Sequence, residues 1–220
     1  MKVFTGLAIL ALSACEAVGQ TSFSRTGLRE YSLQPHLLGS RSYDFEGGAK
    51  AQLDTGLGIG LGVAHHWNGY LAFGYDIAIA SVDYRATVVP GAGNAGAAFD
   101  TSDVMERATA RVNATWHLLA GPSTPFVTAN VGVTHLDPDI QAPPAGGCWI
   151  YPFWGPFCGA RPPTHGMTRL SYGGGAGWRF DLDRNRGSVR LLVSGEAIDW
   201  PGPPGQLRNV EFRADFAARF

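Results

Sequence analysis

Apolar and polar residues alternate with a period of two along most of this chain, the signature of strands rather than helices. The last segment shows it most plainly. Val210, Phe212, Ala214, Phe216, Ala218 and Phe220 share one face; Asn209, Glu211, Arg213, Asp215 and Arg219 share the other. The pattern recurs in seven more segments: Glu30 to Ser40, Thr55 to Trp67, Tyr70 to Tyr84, Val104 to Leu119, Pro125 to Leu136, Arg169 to Leu182 and Ser188 to Trp200. Pro35 is the weak point of the first of these, because proline gives no donor to a strand ladder.

The connections alternate in length. Trp67-Asn68-Gly69, Gly121 to Thr124 and Asp183 to Gly187 are short, and Asn-Gly is a strong hairpin signal. Arg41 to Asp54, Arg85 to Asp103, Asp137 to Thr168 and Pro201 to Arg208 are longer. Eight strands of this length, joined alternately by short turns and long loops, predict an all-β, antiparallel, up-and-down, eight-stranded transmembrane β-barrel. Trp67, Tyr70, Trp116, Phe126, Trp178, Phe180 and Phe220 fall near the short-turn end, where aromatic rings suit a lipid headgroup layer. A soluble barrel would need no such separation of short and long connections, and a soluble sandwich tends to have shorter strands.

Composition agrees. Charged residues make up 16% of the 220, below the quarter of ordinary soluble domains, and there are 30 glycines. A net charge of -1 gives no basic stripe for nucleic acid. The mean hydropathy of -0.02 is no objection to a membrane barrel, whose two faces average out. The first 19 residues read as a secretory signal peptide: Met1-Lys2, an apolar run from Val3 to Leu12, then Ala17-Val18-Gly19 as the cleavage site. Residues 20–220 are then the barrel domain. Leu12-Ser13-Ala14-Cys15 also resembles a lipobox, which would leave Cys15 lipidated. Both readings export the chain.

With these features the sequence resembles the small eight-stranded outer-membrane barrels, the OmpA/OmpX-like and especially the OmpW-like group. The resemblance covers nearly all of residues 20–220. It rests on Leu57-Gly58-Ile59-Gly60-Leu61-Gly62-Val63, on Trp67 to Asp76, and on the terminal Phe220. It implies a bacterial outer-membrane, multi-pass barrel with extracellular long loops and periplasmic termini. Phe212, Phe216 and Phe220 match the signal such barrels present to the barrel-assembly machinery. Outer-membrane lipids and lipopolysaccharide are the implied surroundings.

Candidate chemistry is sparse. Cys148 and Cys158 flank an aromatic stretch in the third long loop. In an exported chain they point to a disulfide, worth about 2 to 3 kcal/mol for a loop this small, rather than to a metal site, which wants more ligands. Trp149, Tyr151, Phe153, Trp154 and Phe157 of that loop read either as packing on the barrel rim or as an exposed binding surface. The inward face collects Asp76, Arg107, Arg111, Arg179, Asp181, Arg190, Glu196, Glu211, Arg213, Asp215 and Arg219. An eight-stranded barrel is only just wide enough for side chains to fill. These charges should pair across the lumen, with inward glycines leaving room for the long arginines. The expected function is a structural or interaction barrel acting through its loops. The alternative is a narrow porin-like channel for small or hydrophobic solutes. A lipid-modifying enzyme would need a serine, a histidine and an acid together; Ser171, His36 and Glu196 are the candidates, with no local motif joining them. No catalytic residue, metal or cofactor is expected.

Overall fold

The structure, a computed structural model, describes residues 24–91, 97–138, 147–159, 166–182, 186–201 and 204–219. The signal segment with Cys15, His165 and Phe220 therefore lie outside the described residues. Among the described residues twelve strands run in order: β1 (Arg29–Leu38), β2 (Arg41–Asp44), β3 (Lys50–Leu53), β4 (Gly56–His66), β5 (Leu71–Pro90), β6 (Phe99–His117), β7 (Ser123–Pro138), β8 (Gly147–Tyr151), β9 (Gly155–Gly159), β10 (Met167–Asp181), β11 (Gly187–Asp199) and β12 (Gln206–Arg219). Eight of them, β1, β4, β5, β6, β7, β10, β11 and β12, each pair antiparallel with two neighbours, and β1 pairs with β12 to close the ring.

The registers are continuous, so the stagger can be followed around the ring. Leu38 faces Glu211, then Ser194, Gly175, Thr128, Thr115, Ala72 and His66, whose amide bonds the Leu28 carbonyl. The circuit returns to the residue just before β1, ten residues from where it began. Such a stagger forces the strands to tilt, by about 35–45° in barrels of this kind. The β1–β12 ladder is interrupted at Gln34 and Pro35 but keeps its register on both sides. The proline removes a donor without shifting the pairing.

The two faces fall as the period of two requires. Leu33, Leu61, Ile77, Val112, Val131, Leu191 and Phe212 stand exposed in an apolar belt. Exposed apolar surface of this extent on every strand is what a barrel turns toward lipid. The opposite residues of the same strands are buried in the lumen and mostly polar. The apolar core proper sits at the long-loop end, where Leu38, Leu53, Val82, Tyr84, Met105, Leu136, Ile198 and Leu207 close the lumen from inside.

The long-loop end is more ordered than alternation alone foretells. β5 and β6 run to Pro90 and from Phe99, so the second connection is a projecting hairpin and not a loop from Arg85 to Asp103. β2 and β3 form a second hairpin that pairs with β5, Lys50 facing Thr87. β8 and β9 form a third, joined to β5 through Val89 and Pro90. These strands are four or five residues long, too short for a period to register.

Candidate functional site

The lumen is filled by three layers of charge. At the short-turn end Glu30 and Asp181 share three guanidinium groups. Arg179 Nη1 donates to Glu30 Oε2 at 2.9 Å, and Arg219 Nε to Glu30 Oε1 at 2.7 Å. Arg179 Nε donates to Asp181 Oδ1 at 2.9 Å, and Arg219 Nη2 bonds the same oxygen. Arg25 Nε reaches Asp181 Oδ2 at 2.9 Å, while its other nitrogens donate to the carbonyls of Gly69, Leu119 and Gly121. One buried side chain thus ties together two of the short turns and the end of β10. His66 Nε2 lies 3.2 Å from Glu30 Oε2, and its ring neighbours that of His117.

In the middle layer Asp76 Oδ1 accepts Arg111 Nε at 3.0 Å and Nη2 at 2.8 Å, a two-pronged pair, and Asn113 bonds Asp76 Oδ2 at 3.1 Å. Arg111 Nη1 also reaches Glu211 at 3.0 Å. Asp215 lies between Arg190 at 3.0 Å and Arg213 at 2.8 Å. The third layer pairs Arg107 with Glu196, and Thr134 donates to Glu196 at 3.2 Å with the Ser171 hydroxyl 3.0 Å from its own. All eleven inward charges expected from alternation therefore take part in ion pairs inside the barrel. Burying a charge is costly unless it is paired, and each of these charges lies against one of opposite sign.

Some expectations need correction. The glycines of β4 and β10 do not chiefly make room for arginines. A Cβ on Gly58 would stand 2.2 Å from His36 Nε2, one on Gly62 2.3 Å from Gln34 Nε2, and one on Gly177 2.7 Å from the Phe126 ring. Phe126 is not a rim aromatic; it is buried in the lumen with its ring 6.0 Å from that of His117. Its even number puts it on the face of Thr124 and Thr128, which bulk at a strand end had obscured. Ser171 and Glu196 do meet through Thr134, but His36 bonds the Gln34 carbonyl and packs against Gly58, so the three do not assemble as a triad. Arg25 and Glu30 complete the cluster at the short-turn end, where His66 is buried rather than a rim feature and His117 points inward as its parity requires. Glu30 shares the parity of Ser32 and Gln34, the one sequence sign that could have found it; Arg25 precedes the strand and has no periodic sign at all.

The third long loop caps the mouth. Cys148 and Cys158 are bonded across the β8–β9 hairpin, Cα to Cα 4.0 Å. Trp149, Tyr151 and Phe153 are buried, and Trp154 and Phe157 half-buried, because the hairpin folds over the apolar core. The aromatic stretch is thus a lid packed inward and not the exposed patch anticipated as one of its two readings. Beside it, burial pushes the Tyr43 phenol up to about 12, and its hydroxyl donates to the Arg208 carbonyl at 2.8 Å. Three voids within the barrel, one under Phe153 and two among the charges, measure about 10 Å³ each, room for about one water. Larger hollows, about 680 and 690 Å³, lie among outward residues such as Leu37, Leu57, Ile59 and Ile79.

Neisserial surface protein A aligns with 89% of this chain and 98% of its own length, with a TM-score of 0.54 at 14% identity. The chain has the fold of a small outer-membrane β-barrel. The outer membrane protein OprG from Pseudomonas aeruginosa aligns over 89% of this chain and 96% of its own at 11% identity, TM-score 0.47. Ail, the attachment invasion locus protein of Yersinia pestis, aligns over 89% and 100% at 11% identity, TM-score 0.45. No family model and no curated protein matches the sequence. Of the residues matched to the assembly signal, Phe212 and Phe216 stand exposed on the outer face of the barrel.

Proposed function

We propose that this protein is a bacterial outer-membrane barrel whose lumen is a closed structural core and whose role is exercised by the surface around its long loops. The observation that carries the reading is the lumen: three layers of paired charge, an apolar cap at one end, Arg25 across the other, and voids of about 10 Å³. A hydrated ion needs a continuous path, and these side chains fill the cross-section an eight-stranded barrel provides. In this reading the short turns are periplasmic and the long loops extracellular. Outer-leaflet lipids and lipopolysaccharide surround the apolar belt. Phe212, Phe216 and Phe220 present the chain to the barrel-assembly machinery, and Ser171 and Glu196 are structural rather than catalytic. The surface protein from Neisseria supports the cell-surface assignment through its name and shared fold.

Planar-bilayer recording of the refolded protein tests this. The expected record shows no reproducible single-channel steps. Steps of constant size that survive in the oxidised wild type would overturn the closed-core reading and favour a narrow channel.

A further inference from the structure

The β8–β9 hairpin is an arm tied to the barrel at one end. Its main-chain bonds go to the top of β5, through Val89, Pro90 and the Gly91 amide on the Cys148 carbonyl at 2.8 Å. Its tip reaches across the mouth and inserts the Phe153 ring among three others. Phe45 is 5.2 Å away, Trp200 5.9 Å and Tyr84 6.3 Å, all edge-on. Edge-to-face geometry at these separations is the favourable one for aromatic pairs.

The residue that makes this insertion is not at rest. Phe153 has φ 71°, and it is the one non-glycine residue with positive φ among the described residues. For a bulky side chain that backbone conformation is a real outlier, held only where the surroundings over-determine it. The tip carries an uncomfortable backbone and is kept there by the pocket its ring fills. Beneath the ring lies the apolar void, with Tyr43, Leu136 and Ile198 in its wall. The bond that stiffens the arm is within reach of solvent, since Cys158 is exposed.

We propose that the mouth of the barrel is a binding site for a small, flat, apolar molecule, one aromatic ring system in size, and that Phe153 is its built-in occupant. The site is Phe45, Tyr84 and Trp200, and the ligand takes the place of the Phe153 ring when the arm lifts. Ligand affinity is then reduced by the fraction of molecules in which the ring is out. The disulfide raises that cost by holding the arm in one shape. The site lies above the charged layers and does not depend on whether the lumen conducts.

Indole is a suitable probe, with the protein refolded in nanodiscs of dimyristoyl phosphatidylcholine and the tryptophan indole N–H resonances followed by NMR. Phe153→Gly removes the ring and accepts the positive φ. A saturable shift of the Trp200 resonance is expected in the variant, with an apparent Kd at least tenfold lower than in the oxidised wild type. Cys148→Ser with Cys158→Ser should fall between the two. Folding is verified by the heat-modifiable gel shift. If Phe153→Gly does not fold, Phe153→Asn, which tolerates the same backbone, takes its place. A folded variant in which indole moves Trp200 no more than it does in wild type overturns the proposal, as does equal tight binding by the oxidised wild type.

Discussion

Glu30→Gln is the sharpest test of the lumen as a charged core. The substitution keeps the shape of the side chain and removes its charge. Glu30 is fully buried and is bonded by Arg179 and Arg219, with His66 3.2 Å away. Without it, Asp181 alone faces Arg25, Arg179 and Arg219. Removing one partner of a buried ion pair costs about 3 to 5 kcal/mol, since the other charges stay buried and unmatched. Set against a total stability of about 5 to 15 kcal/mol, that is a large part. Urea unfolding in phospholipid vesicles, read by the gel mobility of folded and heat-unfolded forms, should show a lower midpoint with little change in slope. Added salt should not restore it, because buried pairs are poorly screened. Glu30→Met with Arg179→Met should recover part of the loss, as a double-mutant cycle would report. A wild-type midpoint for Glu30→Gln would mean that water, not protein, solvates these charges, and the closed-core argument would fail.

Three further outcomes are expected. Between about pH 10, where a free phenol ionises, and about 12, the folded protein holds the Tyr43 proton and the unfolded chain does not. Stability therefore falls as pH rises through that window, and urea midpoints for Tyr43→Phe should lack this component of the fall. Gly58→Ala sets a Cβ 2.2 Å from His36 Nε2 and 2.6 Å from the Ile79 carbonyl oxygen; a loss of about 1 to 3 kcal/mol is expected, which His36→Ala relieves only in part since the carbonyl belongs to the ladder. Arg25→Ala strips the donor from the Gly69, Leu119 and Gly121 carbonyls, and amide exchange should quicken at the β4–β5 and β6–β7 turns while mid-strand amides stay protected. Unchanged protection there would show that Arg25 does not bolt the turns.

Faces were legible in the sequence because a barrel imposes one rule on every strand: lipid outside, filled lumen inside. That rule assigns Asp76, Arg111, Glu211 and the other inward charges without reference to their partners. The partners themselves were not legible. Arg107 meets Glu196 across 89 residues, and only the ring and its stagger determine that. Phe126 was misread by chemistry where parity was correct. The aromatic loop stayed open between rim packing and an exposed surface, because the β8–β9 strands are too short to show a period and the apolar mouth they cover is built by strands far along the chain. Arg25 belongs to no strand, and its role depends on carbonyls from turns far along the chain.

The seam between β1 and β12 has a bearing on how the molecule is made. Glu30 and Arg219 are 189 residues apart, and their bond joins the first strand to the last. Until the final strand docks, the cluster at the short-turn end lacks Arg219. A slip of one residue at the seam would turn that arginine toward lipid and leave Glu30 short of a partner. The charges that fill the finished barrel thus act as a check on its assembly, penalising a ring that closes one position out of register.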